Sequence, residues 1–455
     1  MKKSLFLVVV ILVAIAILPV IGNSFMKKMI NDRLVELKSN GLVVKKDISL
    51  SAYLYSSRHF EFTVEDTSKF INYLNTFSDK QIPPYVNSMI KGAIVGMDVG
   101  YNNLPFAKGL SVDIYPLTLS DEMSDSIKDE DLEFYNHINK FLSLKGILYH
   151  INYDVTNRDF DGYVKDINEA YTLKDKTNMK LVVAKAVFKG SGYLIAPDRL
   201  STLINRVNIS IKNQNIDLVF SLDKLKSASS FASVSTYLSS IDLRDMKLSF
   251  KDKDENISVS TSNIKVNFSA NTQGEKAEFN TKSSIKELRL LSSKDNIHMQ
   301  NLKYDIAVNG IDKASLESLR VVVSKSKSNH QLNSKVIKSG IHLVSHGLQV
   351  DVPELSVENI TLNKTENLKG FSIKLALKIK EDKEFLTKLN ISPVLLIDDI
   401  DLHLNIKLSN EIYNFIMKDI PMANSFSNYA VIDASDTIFD MVFSKSNLKI
   451  NGKDI

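Results

Sequence analysis

The run Asn157-Arg158-Asp159-Phe160-Asp161-Gly162 is the most metal-like pattern in the chain. It sets side-chain oxygens at loop positions one, three and five and a turning glycine at six, as a hard cation such as calcium requires. The pattern then fails, because position twelve is Asn168 and the glutamate that would close the loop falls one residue late, at Glu169. Alternating Ile151, Tyr153 and Val155 before the run, and Tyr163, Val164 and Ile167 after it, predict a hairpin that turns at Asp161-Gly162. His342 and His346 lie four apart, a spacing that places two imidazoles together on a helix or on one face of a strand. Zinc would need further ligands, and zinc hydrolysis a nearby carboxylate base. No acid lies between the two histidines, and Leu343-Val344-Ser345 with Leu348 and Val350 read as strand, so they are expected to be ordinary surface histidines. Asp398, Asp399 and Asp401 offer paired carboxylates, but Asp399 and Asp401 alternate with Ile400 and Leu402 and belong to a wet strand face.

Lys325, Lys327, Lys335 and Lys338 form the densest basic stretch. It lacks interleaved aromatics, so it reads as a solvated loop and not as a nucleic-acid or headgroup site. With 57 basic and 53 acidic residues the net charge is +4, which gives no electrostatic case for nucleic acid. There is no cysteine, which removes disulfides, thiolate zinc sites, iron–sulfur centres and cysteine nucleophiles together. No GxSxG elbow, phosphate-cradling glycine loop or HExxH helix occurs either. The expectation is a non-enzymatic chain with no cofactor, no metal and no catalytic residue to name.

The elements that frame these residues begin with an apolar run. Lys2 and Lys3 precede an uncharged stretch from Leu5 to Ile21, and the segment 4–22 would rise about 28 Å as a helix, close to a bilayer's hydrocarbon thickness. It predicts an uncleaved transmembrane anchor. A cleaved secretory signal is the rival reading, since Val20 and Gly22 are small enough to precede a cleavage site. The anchor is preferred because the run is long, no alanine pair marks a cleavage site, and Met26, Met29, Ile30, Leu34 and Leu37 continue at helical spacing. Residues 23–41 therefore read as an amphipathic juxtamembrane helix. Basic residues flank both ends of the span, but a tail of residues 1–3 cannot hold a domain, so the tail is placed in the cytoplasm and the bulk in the periplasm.

Residues 42–455 read as β-rich. Ile48, Leu50, Ala52 and Leu54 share one parity and lead to Phe60, Phe62 and Val64, a first strand or hairpin. Met246, Leu248 and Phe250 alternate, a polar turn spans 251–256, and Ile257 and Val259 follow. Ile264, Val266 and Phe268 then switch parity, which predicts a bulge or short turn near Ser262 and Asn263. Leu302 to Val308, Phe371 to Ile379, Ile400 to Leu408 and Phe439 to Phe443 repeat the alternation. Helical inserts are expected near 69–91, 121–144, 198–207 and 409–420, the third from Leu200, Leu203 and Ile204. Together these predict a β-rich α+β fold: a transmembrane helix, then a long, curved, mostly antiparallel β-sheet, wet on one face, with a few helical inserts. No self-similar motif is visible beneath the regular strand spacing.

The basic pair Lys2-Lys3, the single anchor, the polar helix and Tyr53-Leu54-Tyr55-Ser56-Ser57 resemble the YdgA-like bacterial envelope proteins, whose function is unknown. The end of the chain, Phe443 followed by Asn447-Leu448-Lys449-Ile450-Asn451-Gly452-Lys453, resembles that family's carboxyl signature. The chain departs from the pattern in lacking the glycine after the first tyrosine and in reducing a His-Gly-Pro turn to Leu104-Pro105-Phe106. A weaker likeness to AsmA-like envelope proteins implies lipid transport or envelope homeostasis. What the resemblance implies is an inner-membrane anchor carrying a long, curved antiparallel sheet in the periplasm. The anchor and the one-sided strands without a catalytic motif give the leading expectation, a non-enzymatic envelope protein that binds lipid or another amphipathic ligand along an apolar sheet face or supports envelope assembly. The alternatives are a periplasmic scaffold that recruits envelope proteins or forms a homodimer, and a hydrolase with a dispersed site.

Overall fold

In the computed structural model, residues 2–76, 82, 86–104, 109–194, 196–233, 235–324, 330–363, 366–419 and 427–455 are described; for 2–18, 21, 22, 324, 330–333, 366, 367 and 419 the description covers the backbone alone. The chain forms two compact units, Met1–Gln214 and Asn215–Ile455. Both are β-rich, built on long antiparallel ladders with a few helices.

The first unit opens with α1 (Lys2–Ser39), one continuous helix with Pro19 inside it. The expected span 4–22 falls mostly on residues whose side chains lie outside the described set; among the described residues, no helix is long and apolar enough to cross a membrane. The unit continues through β1 (Leu42–Ser51), β2 (Tyr55–Val64), α2 (Thr67–Asn75), α3 (Val86–Ile90), β3 (Ile94–Asn102), β4 (Gly109–Pro116), α4 (Asp121–Glu130), α5 (Leu132–Ser143), β5 (Tyr149–Asp154), β6 (Asp159–Val164), β7 (Ile167–Thr172), β8 (Asn178–Tyr193) and β9 (Ala196–Lys212). Strands β1 to β6 pair in sequence order, and the long β8 takes β7 along Asn178–Val183 and β6 along Ala186–Ser191 before pairing with β9. Carboxylate and hydroxyl caps start the helices: Asp66 accepts from the Lys69 amide at 3.0 Å, Ser120 from Met123 at 3.4 Å and Asp131 from Phe134 at 3.0 Å.

Two expectations fail in this unit. Residues 198–207 are not helical but lie inside β9. The spacing misled because Leu200, Ile204 and Val207 all share a face, with a step of three at the end where the strand is interrupted opposite Lys185, which has φ +49°. The hairpin at 149–164 exists, but it turns at Val155–Arg158, and Asp161-Gly162 sits mid-strand opposite Asn152 and Ile151. Asp154 fixes the turn instead, its Oδ1 accepting from the amides of Thr156 at 2.8 Å and Asn157 at 3.1 Å.

The second unit contains β10 (Asp217–Ser233), β11 (Thr236–Lys251), β12 (Asn256–Asn271), β13 (Lys276–Leu291), β14 (Asn296–Asp312), α6 (Lys313–Ser324), α7 (His330–Ser345), β15 (Leu348–Leu362), β16 (Glu366–Ile379), α8 (Phe385–Ile391), a 3-10 turn (Pro393–Asp399), β17 (Ile400–Ser409), α9 (Asn410–Asp419), β18 (Val431–Asp433), β19 (Asp436–Ser444), β20 (Asn447–Ile450) and β21 (Lys453–Asp454). Strands β10 to β17 pair in sequence order, and β19 then joins β17. Strands β10–β14 have 16 or 17 residues each, about 50 Å of extended chain.

A transverse seam crosses these strands. Lys224, Asn263 and Asn301 have φ of +53°, +50° and +52°, and the ladder steps over each of them. Between β11 and β12, for example, pairing passes from Leu243–Ile264 to Asp245–Ser262 and skips Arg244 and Asn263. Because both strands carry an extra residue at the same level, the register survives while side-chain parity switches. This is the interruption expected near Ser262 and Asn263.

Candidate functional site

The seam keeps the paired residues of one face free of ionic side chains along the full strand length. In-register neighbours share a face, so Leu225, Leu243, Ile264, Ile285 and Leu302 form one row and Leu222, Met246, Thr261, Leu288 and Met299 the row across the seam. Rows on both sides belong to one face, since Met299 and Leu302 pack in the same cluster with Val357, Ile360 and Ile412. Following the alternation outwards from these rows, the paired residues of β10–β14 put no Asp, Glu, Lys, Arg or His on this face; Lys224, Arg244 and Lys286 are stepped over at the seam. Lys226, Lys247, Asp242, Lys265, Lys282, Glu287 and Lys303 all fall on the opposite face.

Helices cover this face only in part. α9 covers Leu302, Val357, Phe371 and Leu408 through Ile412 and Ile416. α6 and α7 cover Ala277, Phe279 and Val308 through Leu316, Leu319 and Leu343. On β10, β11 and β12 the only buried residues are Leu243, Thr261 and Ala270. Leu248 is 45% exposed, Ile257 44% and Ile241 39%, and the other apolar side chains on this face of the three strands are half-buried. Two hydroxyls on the face, Thr261 Oγ1 and Ser283 Oγ, are buried yet have no hydrogen-bond partner.

The opposite kind of surface lies on the first unit. His59, Asp98, Asp113 and His150 stand in register on β2, β3, β4 and β5. His59 Nδ1 lies 2.7 Å from Asp98 Oδ1, and His150 Nδ1 lies 2.7 Å from Asp113 Oδ1. Asp98 Oδ2 also accepts from Lys145 Nζ at 2.6 Å and from Tyr115 Oη at 3.0 Å. Burial raises the Asp98 pKa, but the hydrogen bonds from Lys145, His59 and Tyr115 outweigh it and hold the carboxyl below its usual value. Tyr115 is shifted upwards, by burial first and then by its bond to Asp98. A dyad works as a base only with a free imidazole nitrogen towards its nucleophile. Here the second nitrogens face oxygen acceptors, Glu61 Oε1 at 3.3 Å and Asn152 Oδ1 at 3.2 Å. The alternation of the wet face contained this row, but only the strand register brings residues so far apart together.

The residues singled out from the sequence are dispersed. Asp159 and Asp161 line a shallow depression of about 430 Å³ with Tyr55, Asn102, Ser111 and Asp154. Asp161 accepts from Asn152 Nδ2 at 3.2 Å, and among the described residues no group of acids and histidines is arranged to hold a metal. His342 and His346 lie at the end of α7 and just past it, not on a strand, with ring centroids 4.7 Å apart. The helix wins because Leu343 is buried in one core cluster with Leu316 and Leu319 of α6 and Ile311 of β14. Ser315 Oγ lies 3.0 Å from His342 Nδ1. Asp312 bonds this serine and not the imidazole, and Ser315 is buried, so the trio lacks the order of a catalytic triad. Asp399 ends the 3-10 turn instead of starting a strand and accepts from Lys388 Nζ at 3.1 Å, while Asp401 pairs with Lys380 at 3.3 Å. Lys335 and Lys338 are exposed on α7 and not in a loop; Lys325 and Lys327 lie outside the described residues, as do Pro105 and Phe106. No family model, curated protein or solved structure matches the chain.

Proposed function

We propose that this is a non-enzymatic, membrane-anchored envelope protein whose second unit holds an acyl-bearing lipid on the charge-free face of β10–β14. The observation that carries the reading is the face itself: the paired residues of five strands put no ionic side chain on it, and no core cluster of the described residues lies on β10–β12. An apolar surface of this extent is costly in water and complementary to hydrocarbon. The unpartnered hydroxyls of Thr261 and Ser283 favour a ligand with ester or amide groups over a plain alkane. A curled sheet accounts for side chains that are half-buried with no helix on them. The anchor at residues 4–22, the periplasmic placing of the bulk and the YdgA-like and AsmA-like resemblance belong to the same reading.

The test is photocrosslinking of the full chain in nanodiscs with a phospholipid that carries a diazirine on its acyl chain. Adducts are expected on β10–β13, and Leu248→Glu with Ile257→Glu, both at exposed positions, should lower them about tenfold or more. Adducts confined to residues 4–22 would refute lipid carriage. A reproducible protein crosslink at this face, without lipid, would favour the scaffold.

A further inference from the structure

We infer that the turn of the β1–β2 hairpin, together with Leu104, enters the interfacial layer of the bilayer beside α1, so that the first unit is seated on the membrane and not merely tethered to it. This rests on the anchored reading above. A single helical rod joins the proposed span to the sheet: α1 is unbroken from Lys2 to Ser39. Its second half is locked down, because Met26, Ile30 and Leu34 are buried against Phe60, Phe62, Val99 and Tyr101. Polar contacts fix the direction of the sheet along the rod. Tyr73 Oη donates to Glu36 Oε1 at 3.0 Å, Arg58 Nη1 to Asn31 Oδ1 at 2.6 Å and Tyr101 Oη to Asn23 Oδ1 at 3.0 Å. From Glu36 to Asn23 the contacts advance towards the hairpin turn.

Asn23 is the first residue after the proposed span, and Tyr101 is in register with Ser56, which pairs with Ser51. The turn at 52–54 and Leu104 therefore lie beyond the level of Asn23, on the side of the span. What they present there is apolar and aromatic: Tyr53 is 57% exposed, Leu54 55%, Tyr55 51% and Leu104 41%. On α1 at the same level Val20 and Phe25 are exposed as well. No charged residue occurs from Ile48 to Ser57 or from Val99 to Leu104, whereas Lys27 and Lys28 follow one turn further along the helix. Tyrosine and leucine at this depth, with lysines at headgroup level, match the chemistry of a bilayer interface.

The turn is also prepared for a medium poor in water. Asn103, buried beneath it, donates through Nδ2 to the carbonyls of Ala52 at 2.6 Å and Tyr53 at 3.1 Å. Its amide donates to the Leu54 carbonyl at 2.8 Å, and the Ala52 amide to the Tyr55 carbonyl at 2.9 Å. The turn's carbonyls are thus satisfied from within, as entry into lipid demands.

The chain contains no tryptophan, so single-tryptophan variants have a silent background. The full chain would be placed in nanodiscs of phosphatidylethanolamine and phosphatidylglycerol with acyl-brominated lipid as quencher. Leu12→Trp reports the span, Leu54→Trp and Tyr53→Trp the turn, and Val35→Trp, exposed on α1 about 20 Å past Gly22, the far end. Quenching is expected for Leu12→Trp and for both turn variants, each at least about threefold stronger than for Val35→Trp. Quenching of Leu12→Trp, with both turn variants no more quenched than Val35→Trp, would overturn the seated turn and leave the anchor standing. An unquenched Leu12→Trp would overturn the anchor and this inference with it.

Discussion

Inserting one alanine after Asn263 should damage the second unit far more than any substitution at Asn263. Asn263 is the residue the ladder steps over, and its left-handed backbone lets Ile264, Val266, Phe268 and Ala270 return to the face occupied by Ile257, Val259 and Thr261. With one residue more, either the remainder of β12 slips against both neighbours or its side chains exchange faces. Exchange would send Ile264, Val266 and Phe268 into water and turn Lys265 into the charge-free face. Full burial of such a side chain is worth roughly 1.5–3 kcal/mol, and these three are half-buried, so their loss alone comes to about 3 kcal/mol. The lysine adds to it. By contrast, Asn263→Val keeps the chain length and should cost about 1–2 kcal/mol for a β-branched residue at positive φ. Asn263→Gly should stay within about 0.5 kcal/mol, because freedom at φ +50° offsets the entropy it adds to the unfolded chain. Urea titration of the full chain, read as the midpoint of the second unit's transition, ranks the three. An insertion midpoint equal to that of Asn263→Gly would refute the seam as the device that holds the charge-free face in phase.

Two further expectations concern the first unit. Tyr101→Phe removes the hydrogen bond to Asn23 while keeping the buried ring, and should lower stability by about 1 kcal/mol; an unchanged urea midpoint would mean that α1 is held by its apolar stripe alone. Asp98 has a folded pKa below its unfolded value, so its bonds to Lys145, His59 and Tyr115 contribute stability that is complete above the unfolded pKa of about 4 and lost as pH falls through the folded value. The first unit's midpoint should therefore fall on acidification below about pH 5, and Asp98→Asn should flatten that fall; identical pH profiles would remove Asp98 from the account.

The strand content was legible because alternation is local, and Met246, Leu248 and Phe250 announce β11 without help from any distant residue. The seam was half legible. The parity switch at Ser262 and Asn263 showed in the sequence, but the same device at Asn205 put Ile204 and Val207 three apart and counterfeited a helix in β9. A signal was present that could have separated the two. The left-handed residues Lys185, Lys224, Asn263 and Asn301 recur at intervals of 38 or 39 residues, and Asn178-Met179, Asn256-Ile257 and Asn296-Ile297 open their strands. This periodicity is one hairpin long, so a hairpin unit repeats where no longer sequence motif does. The His59–Asp98–Asp113–His150 row was not legible, since it depends on register between strands up to 39 residues apart in sequence, which alternation does not encode.

The repeat explains why the apolar face can be so long. A strand of 16 or 17 residues accumulates twist, and its inward side chains would drift away from those of its neighbours if nothing reset them. One extra residue per strand, placed at the same level on each, bends every strand once and returns its inward row to the common face. Natural cores achieve the same end by covering a short sheet with helices, and among the described residues of the second unit α6, α7 and α9 do so. Over β10–β12 the reset is present and no core cluster of the described residues lies on top. A device that aligns uncharged side chains across five strands, over β10–β12 where no core cluster of the described residues lies, is what the proposed ligand would need of that surface. The polar face needs no such alignment, because each solvated lysine or aspartate is indifferent to its neighbours' exact level.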